Sequence, residues 1–236
     1  FDSINTYKQI YILKNCVMLR NNFIGYQAGY NNTNDANNLI GYRAGYNNSS
    51  YRNNIIGQAT GYDNSGHNNN LFGYYAGFNN SGNFNNIFGP SAGQNNTGNY
   101  NNYFGFQTAW LSSSGSNNNF MGQYVGENNT GSFNELIGSE TGRYLQSTST
   151  VAIGAEALYG GSVYESLNNV ALGYRAGYAS DDGSGNNILI GYQAADSLTT
   201  GANNIIIGYD VEAPSNTGDN QLNIGNLVFG TGIDGT

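Results

Sequence analysis

The fold class that this chain predicts is all-β: a parallel β-roll or β-solenoid with coils of 16 to 19 residues. Three observations carry that expectation. A glycine preceded by an apolar residue recurs at Gly25, Gly41, Gly57, Gly73, Gly89, Gly105, Gly122, Gly138, Gly154, Gly173, Gly191, Gly208 and Gly225, at intervals of 16, 17, 18 or 19 residues. The neighbours of that glycine recur with it, and the stretch from Asn37 to Arg52, NNLIGYRAGYNNSSYR, is the theme of which most later coils are variations. Composition is the third: 43 Asn, 35 Gly and 20 Tyr in 236 residues would read as low complexity if they were scattered, but each type keeps to its own place in the period. A fixed repeat this short marks an architecture in which one repeat is one turn.

Residues 1 to 20 stand outside the repeat. The β-formers between Tyr7 and Leu19 predict a capping or docking strand, which a stack of coils needs because its first turn otherwise leaves an open edge. Residues 21 to 146 form a first solenoid segment with coils of 16 or 17 residues, of the form N-N-x-Φ-G-ar-x-A-G-ar-N-N-[ST]-G-x-x, where Φ is apolar and ar is usually aromatic. The Φ slot holds Ile24, Ile40, Ile56, Phe72, Phe88, Phe104, Met121 and Ile137, an unbroken column expected to form the core. Small residues three places after the glycine, Ala28 and Ala44 among them, fit a narrow interior. The glycines that follow, such as Gly29 and Gly45, suggest a bend where a Cβ is refused. Asn-Asn and Ser/Thr-Gly then make the turn, because Asn and Gly tolerate positive φ. Each repeat is expected to hold two short strands joined by two turns.

Residues 147 to 225 form a second segment with longer coils. Its core column continues through Ile153, Leu172, Ile190, Ile207 and Ile224, and the partners two residues earlier, from Val151 to Leu222, alternate toward the same face. Insertions near 159–167 and 180–185 are expected to bulge from one side. Residues 226 to 236 lose the pattern and read as a tail that leaves the last coil open.

Charge excludes several functions. Seven Lys and Arg against fifteen Asp and Glu, a net of -8, make phosphate neutralisation impossible as a general binding mode, so no nucleic-acid partner is expected. No run of about 18 apolar residues exists, and no membrane insertion of this segment is expected. The single cysteine, Cys16, excludes a disulfide framework within the chain and a cysteine-based metal cluster.

The leading candidate surface is aromatic. Tyr26, Tyr42, Tyr74, Phe106, Tyr174, Tyr192 and Tyr209 directly follow the ruler glycine, and Tyr30, Tyr46, Tyr62 and Phe78 stand five places after it, with Trp110, Tyr159 and Tyr178 further on. In stacked coils they form ladders with rungs about 4.8 Å apart. Such ladders either stack on one another and seal contacts, or present rings and hydroxyls to a glycan or protein on a host surface. Asn-Asn columns satisfy each other's amides along the axis. Asn31, Asn47, Asn48, Asn79, Asn95 and Asn128 also match N-x-[ST]. Asp181-Asp182-Gly183-Ser184-Gly185 lacks the spacing of a calcium loop, so no metal or other cofactor is expected. The one histidine, His67, has no Ser or Asp at triad spacing, and the pairs Glu135 with Glu140 and Asp210 with Glu212 read as scattered surface charge, so no catalytic residue is assigned.

The phrases NNIIIGYDVEA, NNVALGYRAGY, STVAIGAEAL and NNILIGYQAAD resemble the head repeats of YadA-like trimeric autotransporter adhesins, and the Asn- and Gly-rich coils resemble the IGYQAG repeats of phage tail-fibre-like proteins. The resemblance implies a left-handed roll, three chains side by side, displayed outside a cell or virion. The expected function is an extracellular fibre or adhesin head acting through multivalent surface contacts. A self-assembling head-to-tail filament and a glycan-binding module are the alternatives.

Overall fold

The computed structural model describes residues 20–111, 114–160, 164–181 and 183–232. The expected N-terminal capping or docking segment falls outside them except for its last residue. Among the described residues all regular structure is β. The strands are β1 (Asn22–Ile24), β2 (Asn38–Ile40), β3 (Asn54–Ile56), β4 (Asn70–Phe72), β5 (Asn86–Phe88), β6 (Asn102–Phe104), β7 (Asn119–Met121) and β8 (Glu135–Ile137). After them come β9 (Leu145–Gln146), β10 (Val151–Ile153), β11 (Tyr164–Glu165), β12 (Val170–Leu172), β13 (Ile188–Ile190), β14 (Ile205–Ile207), β15 (Gln221–Ile224) and β16 (Val228–Thr231).

The strands β1 to β8, β10 and β12 to β15 form one sheet, each parallel to the next. Register is strict: Asn38 lies beside Asn54, Leu39 beside Ile55, and Ile40 beside Ile56. The chain is therefore a parallel β-solenoid in which the glycine interval is the coil. The insertion after β10 keeps this register, since Val151 pairs Val170 across it.

The opposite wall is not a second strand in each coil. It is a chain of turns whose backbone bonds run from coil to coil, as from Gly45 N to Thr60 O at 2.9 Å and Asn47 N to Tyr62 O at 2.8 Å. Among the described residues a second strand pair forms only between β9 and β11. Left-handed residues recur along this wall, among them Arg43, Gly45, Ala59 and Gly61, and such φ values are incompatible with a continuous strand.

The predicted core column is displaced by one residue. Leu39, Ile55, Leu71, Ile87, Tyr103, Phe120, Leu136, Ala152, Ala171, Leu189 and Ile206 fill the interior, each fully buried. The Φ column that the pattern placed inside, Ile24, Ile40, Ile56, Phe72, Phe88, Phe104, Met121, Ile137, Ile153, Leu172, Ile190, Ile207 and Ile224, lies on the outer face of the sheet and is half-buried or exposed, reaching 55% at Ile24. A side-chain period of two makes a slip of one residue exchange the two faces completely.

Asparagine fills the other half of the interior. Asn69 Oδ1 accepts the backbone N–H of Asn85 at 2.8 Å, while its Nδ2 donates to the Gly82 carbonyl at 2.9 Å. The same pair of bonds recurs at Asn85, Asn101, Asn187 and Asn204. A second buried ladder joins Asn48, Asn64, Asn80 and Asn96 through Nδ2–Oδ1 bonds of 2.8 Å. Buried amides cost stability unless they are bonded, and the repeat supplies each with a copy of itself one coil away.

The tail also differs from expectation. Val228–Thr231 returns antiparallel along β15, pairing Ile224 with Val228 and Leu222 with Gly230, so the sheet edge of the last coil is covered.

Leu71→Ala is expected to cost about 2–5 kcal/mol, a Tm loss of roughly 5–15 °C, whereas Phe72→Ala costs the monomer at most about 1 kcal/mol. Thermal melts of the two variants check the parity of the core. Gly105 adopts φ +139°, and a Cβ there overlaps the Gly122 carbonyl oxygen. Gly105→Ala is expected to lose about 3 kcal/mol or more, against little change for the exposed Gln58→Ala, read by the same melts.

Candidate functional site

The outer face of the sheet is a surface that repeats from coil to coil. Two columns cover it, because within each three-residue strand the first and third side chains point outward. From β1 to β7 the first column is Asn, with Nδ2–Oδ1 bonds of 2.8 Å from Asn54 to Asn70, Asn70 to Asn86 and Asn86 to Asn102. It ends where Asn119 donates to Glu135 at 2.9 Å. Beyond Glu135 the same column becomes Val151, Val170, Ile188, Ile205 and Leu222. The second column is apolar throughout and includes a stack of Phe72, Phe88 and Phe104, with ring centroids 4.7 and 5.0 Å apart. The face is thus half amide and half apolar at one end of the rod and wholly apolar at the other.

Aromatic residues line its margins. In the column after the ruler glycine, Tyr26 stacks on Tyr42 at 5.6 Å, and Tyr174, Tyr192 and Tyr209 stack at 5.3 and 5.0 Å. Gln58 and Pro90 interrupt that column, so Tyr74 packs edge-on against Tyr75, and Phe106 edge-on against Tyr124. A second column, on the wall of turns, is continuous across four coils: Tyr30, Tyr46, Tyr62 and Phe78 stack at 5.0, 4.8 and 5.4 Å. Arginines wedge between the columns, Arg43 over Tyr42 and Tyr46, and Arg175 over Tyr174 and Tyr178. In the ladder from Tyr30 to Phe78 the ring faces are taken up by neighbouring rings, whereas in the interrupted column Tyr26 and Tyr209 remain largely exposed.

A further aromatic strip runs along the corner that precedes the sheet, and sequence reasoning missed it. Tyr51 stacks on His67 at 5.0 Å, His67 meets Phe84 edge-on, and Phe84 stacks on Tyr100 at 4.9 Å. Phe84 and Tyr100 have φ of 57° and 58°, in a slot that Asn fills in Asn68, Asn117 and Asn186. The signal was the sixteen-residue spacing within two slots that the repeat formula leaves unassigned.

The acidic residues weighed as pairs lie apart from one another. Glu135 is held by Asn119, and Glu140 is paired with Arg143 at 2.8 Å. Glu212 meets Asp196 instead of Asp210. Ser197 Oγ lies 2.9 Å from Glu212 Oε1 and 3.3 Å from Asp196 Oδ1. Burial, and then the hydrogen bond with Asp196, push the Glu212 carboxyl up to about 7. Among the described residues no three His, Cys, Asp or Glu side chains gather into a metal-binding group, and no helix is long and apolar enough to cross a membrane. Of the N-x-[ST] asparagines, Asn31, Asn79 and Asn95 are exposed and Asn47 and Asn128 half-buried, while Asn48 is buried and bonded to Asn32 Oδ1.

Comparison with family models, with curated proteins and with solved structures gives no match.

The Glu212 pair sets a pH dependence. A carboxyl whose pKa rises on folding, here from 4.5 to about 7, favours the folded state while it keeps its proton. That contribution is complete below pH 4.5 and is lost as pH climbs through 7. Tm is therefore expected to fall modestly between pH 5 and 8, and Glu212→Gln to flatten the slope, as read by melts across that range.

Proposed function

We propose that this chain is a structural or adhesive fibre element that works outside the cell or virion, through its length and repeated surfaces, in assemblies of several copies. One observation carries the reading: an apolar column extends along the outer sheet face from Ile24 to Ile224, much of it solvent-exposed in the single chain. Thirteen strands spaced about 4.8 Å apart make that column about 60 Å long. Isolated exposed apolar side chains are ordinary, but a contiguous strip of this length marks a contact surface.

The interior supports the same reading. Its amides and apolar chains are spent on joining coil to coil, which makes a stiff spacer, and the reading assigns the chain no catalytic role. The extracellular assignment rests on the resemblance of the repeat to surface-fibre heads. A glycan-binding use of the tyrosines has less support, because stacking sugars need open ring faces and the continuous ladder from Tyr30 to Phe78 has covered its own. Head-to-tail growth of the sheet is disfavoured at the β15 edge, where β16 lies antiparallel.

Light scattering and electron microscopy of the purified chain test the proposal. Rods containing more than one copy are expected, and monomers at micromolar concentration would overturn it.

A further inference from the structure

We propose that the face-to-face tyrosines of successive coils are sites of oxidative cross-linking: hydrogen peroxide acting through a haem peroxidase, a one-electron oxidant, joins them as dityrosine and staples one coil to the next. Such staples lie within one chain and need no second copy.

Coupling needs two phenol rings held against each other, because phenoxyl radicals join through their ring carbons. Tyr30, Tyr46 and Tyr62 meet that need on the wall of turns, with centroids 5.0 and 4.8 Å apart and planes inclined by 10° and 5°. Tyr192 and Tyr209 meet it toward the other end of the rod, at 5.0 Å and 11°. On the wall of turns the backbone fixes the spacing, since the Asn31 N–H donates to the Tyr46 carbonyl and the Asn47 N–H to the Tyr62 carbonyl, each at 2.8 Å. Other tyrosines lack this arrangement. Tyr74 meets Tyr75 edge-on at 72°, while Tyr51 and Tyr100 stack on His67 and Phe84, which carry no phenol.

The rings are within reach of an oxidant. Tyr209 is 75% exposed, Tyr30 45% and Tyr192 42%, and Tyr46 and Tyr62 are half-buried. Each tyrosine gives up one electron and its phenol proton and becomes a phenoxyl radical. A C–C bond then forms between the carbons ortho to the two oxygens, and the hydrogens on those carbons pass to the oxygens as the rings regain aromaticity. The two electrons and two protons released reduce one peroxide to two waters.

The rod favours links within a chain over links between chains, because groups held in contact react at an effective concentration far above that of a micromolar partner. Composition sets where a run stops. Phe78 stacks on Tyr62 at 5.4 Å but has no phenol to oxidise. Tyr30 and Tyr62 stand two rungs apart, about 9.6 Å, too far for a direct bond.

The test treats the full chain with hydrogen peroxide and a haem peroxidase and maps dityrosine by mass spectrometry of its peptides. An equal mixture of ordinary and isotope-labelled chains separates links within a chain from links between chains. Links of Tyr30 with Tyr46, Tyr46 with Tyr62 and Tyr192 with Tyr209 are expected, each with both halves of one isotope. Mixed-isotope links as the main product, or links that favour Tyr51 and Tyr100, would overturn the proposal. Tyr46→Phe keeps a ring in the stack, and it is expected to lower dityrosine at positions 30 and 62 at least about tenfold while sparing positions 192 and 209. Undiminished yield at 30 and 62 would count against the stack as the cause. The treated chain is expected to melt roughly 5 °C above an equally treated chain carrying Tyr46→Phe and Tyr192→Phe, after subtracting their difference before treatment. Equal melting would overturn the stapling role.

Discussion

The structure depends on the demand that every buried amide find its partner one coil away. A coil of sixteen residues encloses too little volume for a wholly apolar core, and half of its interior is asparagine. That half is stable because Asn69, Asn85 and Asn101 each hold the backbone N–H of the next coil with Oδ1 and a carbonyl with Nδ2. The bonds exist only at a fixed axial spacing with like residues in line. Coil length and register follow from that one requirement.

The glycines serve the same spacing. At Gly105 the chain turns away from the sheet with φ +139°, and the carbonyl of Gly122 occupies the space where a Cβ would be. At Gly45 a left-handed turn brings the backbone against Leu39. The apolar half of the interior adjusts coil by coil, because volume given up on one wall is recovered on the other: the sheet offers only Ala152 and Ala171 where Leu145 and Leu158 enter from the turns. A rod built in this way has its interior fully committed, and its function falls to the outer columns.

The period, the sheet and the aromatic columns were legible because each rests on a residue type recurring at a fixed interval. The side of the sheet was not. In Leu39-Ile40 or Ile55-Ile56 both residues are apolar, so alternation does not say which points inward, and in the later coils Val151 and Ile153 outweigh the Ala152 between them. The deciding evidence was spatial: Ala152 is the inner residue because leucines from the opposite wall take up the room, a relation between slots that are neighbours in space and not in sequence. The single strand per coil was hidden for a related reason, since left-handed Arg43 and Ala59 do not belong to types that announce positive φ. Glu212 and Asp196, sixteen residues apart, meet across one coil interval, a contact that no local spacing in the sequence marks.

Hydrogen exchange of asparagine side chains, followed by NMR on amide-labelled protein, tests the central claim most directly. The account expects the Nδ2 protons of Asn69, Asn80, Asn85 and Asn96 to exchange only with global unfolding, while those of the exposed Asn31 and Asn95 exchange orders of magnitude faster. Side-chain amides of Asn69 and Asn85 that exchange at solvent rates in the folded chain would contradict it.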